Sequence, residues 1–241
     1  MQIKIKEIEI HYIQYGNPKG KDIILLHGWG QNIEMMKILG DHFISEYRIT
    51  IPDLPGFGES MEPKEAWMLD DYREMLENLV TKIEIQNPIV IGHSFGGRLA
   101  ILYASSNKVS KVVLFGSPIR PETNNKNLKV KVLKSVKKLP LMNNIGEKMK
   151  KYIGSRDYKA ASPIMRQVLV NTVNKDLTED AKKIKASTLI IWGENDAEAR
   201  IEDAKILEHT IPDAGLIILP GTHYAYLENL GQVIKILNSF L

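Results

Sequence analysis

Six short runs of aliphatic residues recur along the chain, with helix-like patterns between them. The runs lie at residues 23–26, 49–51, 89–91, 112–114, 189–191 and 216–219. They are continuous rather than alternating, which is typical of strands buried on both faces of a parallel sheet. Strands that alternate with helices predict an α/β fold, in which helices cover both faces of a mostly parallel sheet. The first 15 residues alternate polar and apolar side chains. They predict an antiparallel edge ribbon, which gives about eight strands.

One interval, residues 119–186, carries no strand signal. A structureless loop of that length is uncommon inside a compact domain. Residues 158–173 have a helical pattern, and apolar residues recur at helical spacing at Leu128, Val132, Val136 and Leu139. We therefore predict a core made of residues 1–118 and 187–241, with a helical cap inserted at residues 119–186.

Composition excludes several classes of site. The chain has no Cys among its 241 residues, so disulfides, a thiol nucleophile and Cys-ligated metals are excluded. The formal net charge of +3 is too small to indicate nucleic-acid binding. No apolar run reaches the roughly 18 residues of a membrane-spanning helix, and the start of the chain lacks the apolar core of a signal peptide. We therefore expect a cytoplasmic protein.

Three polar residues, Ser94, Asp196 and His223, each follow one of the aliphatic runs. Open α/β sheets hold their reacting groups beyond the carboxyl ends of the strands, so these side chains are expected at one edge. A serine hydroxyl needs a base within hydrogen-bond reach, and histidine is a base near neutral pH. A carboxylate can fix the histidine tautomer and stabilise the imidazolium. The order Ser, Asp, His therefore indicates a nucleophile, an acid and a base.

The segment Gly92-His93-Ser94-Phe95-Gly96 joins a predicted strand to a predicted helix. Small residues two positions before and after a nucleophile let the strand and the helix approach closely around a sharp turn. The N-terminus of the following helix offers free N–H groups that can bind a developing oxyanion.

With these motifs the chain resembles the α/β-hydrolase superfamily, and within it bacterial carboxylesterases of the pimeloyl-ester type. Residues 92–96 resemble the nucleophile elbow, 27–30 the oxyanion loop, 193–196 the acid turn and 221–223 the histidine loop. Residues 53–60 resemble a further signature of the superfamily. One departure is local, because the acid turn continues Ala197-Glu198-Ala199 where many relatives carry a proline.

The resemblance implies a serine hydrolase that cleaves small-molecule carboxylic esters through an acyl-enzyme. Ser94 would be the nucleophile, His223 the base and Asp196 the orienting acid. The backbone N–H groups of Trp29 and Phe95 would form the oxyanion hole, and both residues would line the substrate pocket. No cofactor is needed for this chemistry, and no cluster of side chains has metal-ligand spacing.

Several alternatives stay open. A thioesterase, a lactonase, a carbon–carbon bond hydrolase and a perhydrolase use the same three residues, and some relatives keep them as ligand-sensing signalling proteins. Rival positions for the acid are Glu194, Glu198 and Asp203. We expect structural roles for His27 and His93. The natural substrate and the oligomeric state are left undetermined.

The predicted cap is strongly basic. Residues 120–159 contain twelve Lys or Arg and three acidic residues. A basic amphipathic helix at residues 126–139 could lie on anionic lipid or steer anionic substrates. We favour a solvated lysine-rich face over contact with a membrane surface.

Overall fold

The structure is a computed structural model that describes residues 1–121 and 161–241. One sheet contains the strands β1 (Gln2–Ile5), β2 (Ile8–Gly16), β3 (Lys21–Leu26), β4 (Tyr47–Pro52), β5 (Ile89–His93), β6 (Lys111–Phe115), β7 (Thr188–Gly193) and β8 (Ala214–Leu219). Their order across the sheet is β1-β2-β4-β3-β5-β6-β7-β8. The pairs β1–β2 and β2–β4 are antiparallel, and the other neighbours are parallel. The mostly parallel eight-stranded sheet and its antiparallel edge ribbon are therefore confirmed.

The described residues form eight helices. They are α1 (Ile33–Gly40), α2 (Leu69–Lys82), α3 (Phe95–Ser106), α4 (Pro163–Val173), α5 (Thr178–Ala181), α6 (Ile201–Thr210), α7 (Ala225–Glu228) and α8 (Leu230–Phe240). Successive residues of β5 point to opposite faces of the sheet. Val90 belongs to a core cluster shared with α2, α3 and α6, whereas Ile89 and Ile91 belong to a cluster shared with α1 and α8. Helices thus cover both faces, as the continuous aliphatic runs predict.

Strand β8 differs from this expectation. Its aliphatic run predicts burial on both faces, but the strand is largely half-buried and the Ile218 side chain is 44% exposed. The reason is its position, because β8 is the last strand in the sheet order and pairs with β7 alone within the described residues.

The interval between β6 and β7 is described in part. Its described residues, 119–121 and 161–186, contain α4 and α5 and no strand. Ser162 caps α4, since its hydroxyl accepts the Met165 N–H, and Pro163 occupies the first turn where a missing N–H costs nothing. The helical pattern centred on Leu128 to Leu139 and the basic helix at residues 126–139 lie outside the described residues.

Candidate active site

Ser94 stands at the sharp turn between β5 and α3. Its backbone has φ +51° and ψ −112°, a region that residues with a side chain rarely adopt. The turn is so tight that a Cβ on Gly96 would lie 2.2 Å from the Leu26 carbonyl oxygen. The Ser94 N–H donates to the Phe115 carbonyl at 2.9 Å, which fixes the turn to β6. A strained backbone held this firmly by its neighbours is typical of functional positions.

Asp196 and His223 meet at the ends of β7 and β8. Nδ1 of His223 lies 2.8 Å from Oδ2 of Asp196, and the two side chains are 5% and 1% exposed. The other carboxylate oxygen, Oδ1, accepts the backbone N–H groups of Glu198 and Ala199, each at 2.8 Å. Because Oδ2 accepts from His223, Nδ1 carries the proton and Nε2 presents a lone pair. The arrangement therefore gives a histidine that can act as a base through Nε2.

Gly116 connects Ser94 with this pair. It directly follows Phe115, which holds the Ser94 N–H, and a Cβ on Gly116 would lie 3.0 Å from Nδ1 of His223 and 3.3 Å from Oδ2 of Asp196. The three predicted residues therefore gather around one loop at the carboxyl edge of the sheet. Between Ser94 Oγ and His223, both within the described part of the chain, there is no hydrogen bond. Such bonds are often long without substrate and tighten in the Michaelis complex.

None of the three rival acids pairs with Nδ1 of His223, whose partner is Asp196. Asp203 forms an ion pair with Arg120 at 3.1 Å, and Glu194 is exposed to solvent. Glu198 does approach His223, but its Oε2 lies 3.7 Å from Nε2, on the side of the ring opposite Asp196. Glu198 is therefore a second carboxylate at the imidazole rather than the one that orients Nδ1. Its closeness to Nε2 depends on the course of the loop after Asp196, which the sequence did not reveal.

His27 supports the loop that precedes Trp29. Its Nε2 accepts the Leu54 N–H at 2.9 Å, so its Nδ1 carries the proton and donates to the Gly28 carbonyl at 2.7 Å. Burial lowers the pKa of His27 to about 4, which keeps the ring neutral. The ring thereby fixes the backbone of Gly28 beside Trp29, in agreement with the structural role expected from the sequence.

The residues expected to bind an oxyanion lie on two neighbouring loops. No described residue accepts a hydrogen bond from the backbone N–H of Trp29 or of Phe95, so both donors are available. The Trp29 and Phe95 rings pack edge to face with centroids 5.5 Å apart, and the Trp29 and Phe57 rings do so at 4.9 Å. These rings form an aromatic wall beside the two donors.

Two further residues support the histidine loop. The His93 ring lies 4.7 Å from the His223 ring, and its Nε2 donates to the His223 carbonyl at 3.1 Å. Burial, followed by the neighbouring His223, lowers the pKa of His93 well below its usual range. Gln31 was not singled out from the sequence. Its Oε1 accepts the Gly28 N–H at 3.0 Å and its Nε2 lies 3.4 Å from the Tyr224 hydroxyl, so it joins the two loops.

The signature at residues 53–60 has a structural explanation. The carboxylate of Asp53 is buried and accepts the N–H groups of Ile33 at 2.8 Å and Glu59 at 2.9 Å. The Ser60 hydroxyl donates to the Asp53 carbonyl at 2.6 Å. These bonds close the turn that carries Phe57 to the aromatic wall.

Within residues 1–121 and 161–241, no group of three or more His, Asp or Glu has the geometry to hold a metal ion. No helix in the same ranges combines the length and the apolar character needed to cross a bilayer. The cytoplasmic location stays a prediction.

Comparison with known proteins agrees with this architecture. Residues 22–144 match the family described as alpha/beta hydrolase fold. The AB hydrolase superfamily protein YisY of Bacillus subtilis is 24% identical over 92% of this chain and 91% of its own length. A pimeloyl-[acyl-carrier protein] methyl ester esterase of Nitrosospira multiformis is 25% identical over 87% of this chain and 90% of its own.

Among solved structures, a bromoperoxidase from Bacillus anthracis superposes with a TM-score of 0.79 at 24% identity, covering 97% of this chain and 95% of that one. This likeness extends the shared fold to nearly the whole chain. The family match covers half of the chain. The chain therefore belongs to the α/β-hydrolase family and is a hydrolase of that family, similar to its esterases.

Proposed function

We propose that the chain is a serine hydrolase that cleaves small-molecule carboxylic esters through an acyl-enzyme. The observation that carries the proposal is the buried imidazole of His223, whose Nδ1 is held 2.8 Å from a carboxylate that two backbone N–H groups already orient. A neutral imidazole so fixed has its Nε2 lone pair free to take a proton. In this proposal Ser94, at the strained turn whose N–H is bonded to Phe115, supplies that proton.

The proposed reaction has two halves. Ser94 Oγ attacks the ester carbonyl carbon while His223 Nε2 takes the hydroxyl proton, and the carbonyl oxygen becomes an oxyanion. The N–H groups of Trp29 and Phe95 bind that oxyanion. As the ester C–O bond breaks, Nε2 returns the proton to the departing alcohol. Water then attacks the acyl-enzyme with His223 again as base, which releases the carboxylic acid and restores Ser94.

The esterases among the relatives support an ester substrate, while the fold leaves the acyl group open. Residues 119–186 are proposed as a cap, because α4 and α5 interrupt the alternation of strands and helices in the described part. The cap and the aromatic wall would together choose the substrate.

Hydrolysis of p-nitrophenyl esters from acetate to palmitate tests the proposal. Wild type should show turnover that peaks at one chain length, and Ser94→Ala should lower kcat by about 10⁶, as expected when a nucleophile is lost. Ser105→Ala, a change of the same size on the same helix α3, serves as the control and should keep wild-type rates. The assignment is wrong if Ser94→Ala keeps turnover within tenfold of wild type. Absence of turnover on all esters would favour the ligand-sensing alternative.

A further inference from the structure

A cavity of about 260 Å³ opens beside the proposed oxyanion loop. Its described walls include Trp29, Phe57, Glu62, Ala161, Ser162 and Met165. The volume is slightly smaller than the roughly 300–1,000 Å³ of typical ligand pockets, which suits a small organic group. Trp29 offers its N–H to the proposed oxyanion hole and its indole to this wall. The cavity therefore adjoins the place where the ester would react.

Two aromatic rings form the apolar part of the wall. The Trp29 and Phe57 rings stand at 79° to each other with centroids 4.9 Å apart. Aromatic faces carry negative electrostatic potential, and perpendicular rings present such faces in different directions. Aromatic walls of this kind attract ammonium groups through cation–π interactions, and Trp is the best ring for this purpose.

A single ionisable side chain stands among the described residues of the wall, and it is the carboxylate of Glu62. The Ser162 hydroxyl donates to Oε1 of Glu62, and Ser162 Oγ is itself held because it accepts the Met165 N–H at 3.1 Å. No described residue donates a hydrogen bond to Oε2. The carboxylate is therefore oriented by the start of α4 and keeps one oxygen available as an acceptor in a partly apolar cavity.

We propose that this cavity binds a cationic ammonium group of the ester substrate. The group contacts the Trp29 and Phe57 rings on one side and the carboxylate of Glu62 on the other. The inference rests on the proposed ester hydrolysis and names the substrate class for that same site. Attraction to the charge of the Glu62 carboxylate and to the aromatic faces should together favour the cationic member of a size-matched pair by about tenfold in kcat/KM. An ammonium that carries an N–H can in addition donate a charge-assisted hydrogen bond to Oε2. Glu62 is in this view a specificity-determining residue.

Two pairs of esters isolate the charge. In p-nitrophenyl 6-aminohexanoate and p-nitrophenyl heptanoate, an ammonium replaces a methyl group at the end of the acyl chain. Acetylcholine and 3,3-dimethylbutyl acetate differ in the alcohol part, where a trimethylammonium group of the first ester takes the place of a tert-butyl group in the second. We expect the cationic member of one pair to react about tenfold faster in kcat/KM, and Glu62→Gln to bring that ratio close to one. Glu65→Gln removes an exposed carboxylate three positions away and should keep the wild-type ratio.

A binding measurement separates this inference from the proposed hydrolysis. Titration of wild type with hexyltrimethylammonium, followed by calorimetry, should show saturable binding that Glu62→Gln weakens about tenfold and Glu65→Gln leaves in place. Binding with this pattern but no ester turnover would sustain the cation site and remove the ester reaction. Serine-dependent turnover with equal rates within both pairs, and cation binding indifferent to Glu62→Gln, would overturn the cation site.

A second variant covers the case in which Glu62→Gln does not fold, since it alters the contact between Glu62 and α4. Phe57→Leu keeps an apolar side chain in the wall and removes one aromatic face. It should lower the preference for the cationic ester by about threefold or more, as expected for one lost cation–π contact. An unchanged preference in Phe57→Leu would count against the site.

Discussion

Both oxygens of the Asp196 carboxylate accept hydrogen bonds in the proposed resting site, and this makes one substitution informative. Oδ1 accepts two backbone N–H groups and Oδ2 accepts Nδ1 of His223. In Asp196→Asn, the two N–H donors require the amide oxygen at Oδ1, so the NH₂ group must face His223. Nδ1 then has to accept, and the proton moves to Nε2, which can no longer take the Ser94 proton.

We therefore predict that Asp196→Asn lowers kcat for p-nitrophenyl butyrate by about 10⁴ while the fold is kept. Steady-state kinetics and circular dichroism on the purified variant measure both. Glu194→Gln, in the same turn but exposed, is the matched control and should keep wild-type kcat. A decrease of less than tenfold in Asp196→Asn would show that another group orients the base.

At the scale of single residues, the sequence indicated where a side chain lies when the residue stands just after a strand. The location of Ser94, Asp196 and His223 at one edge could be predicted because each lies within about four residues after a strand, and parallel strands bring their carboxyl ends to one edge. Gln31 and Glu198 could not be placed in the same way. Their contacts depend on how loops distant in the chain fold over each other, and no spacing in the sequence encodes that path.

At the scale of elements, Arg98 joins helix α3 to the loop after β6 and to the C-terminal end of α4. Its side chain, on α3, is buried and donates to the carbonyls of Pro118 at 2.5 Å, Thr172 at 3.0 Å and Lys175. Pro118 follows β6, whereas Thr172 and Lys175 belong to the end of α4 and the residues after it. One guanidinium thus links the residue three positions after β6 to the end of α4, and the helix C-terminus favours its positive charge.

Arg98→Met should remove the hydrogen bonds from the guanidinium to these carbonyls and lower the free energy of unfolding by about 3 kcal/mol, since hydrogen bonds to charged groups contribute roughly 1.5–3 kcal/mol. Urea denaturation measures the change. Arg73→Met is the control, because Arg73 forms a half-exposed pair with Glu77 on one helix, and such pairs contribute less than about 1 kcal/mol. Equal losses in the two variants would mean that the buried contacts of Arg98 add nothing.

The aliphatic runs predicted every parallel strand of the described sheet, because a strand buried on both faces leaves a continuous apolar signature. Helix α1 was not predicted. It spans only eight residues, and part of its start depends on a distant group, since the Ile33 N–H donates to Asp53 at 2.8 Å. The exposure of Ile218 on β8 could not be predicted from the sequence either, because the order of the strands in the sheet decides which strand lies at the edge.

For the whole molecule, the neutral histidines behind the site link stability to pH. His27 and His93 are fully buried, and burial lowers the pKa of His27 to about 4 and that of His93 well below its usual range. In the unfolded chain both rings take up a proton near pH 6.5. Between about pH 6.5 and pH 4 the unfolded state therefore binds more protons than the folded state, so the free energy of unfolding falls as the pH falls.

The His27 contribution should amount to about 3 kcal/mol between pH 7 and pH 4, with a slope of roughly 1.4 kcal/mol per pH unit once the unfolded ring is charged. Urea denaturation at pH 7, 5.5 and 4.5 measures this dependence. His27→Gln should be less stable than wild type at pH 7 and should show a shallower dependence on pH, because one titrating ring is gone. His42→Gln changes an exposed ring and should keep the wild-type slope. If the free energy of unfolding has the same slope against pH in all three proteins, burial does not keep His27 neutral. The bond from its Nδ1 to the Gly28 carbonyl would then not depend on a neutral ring.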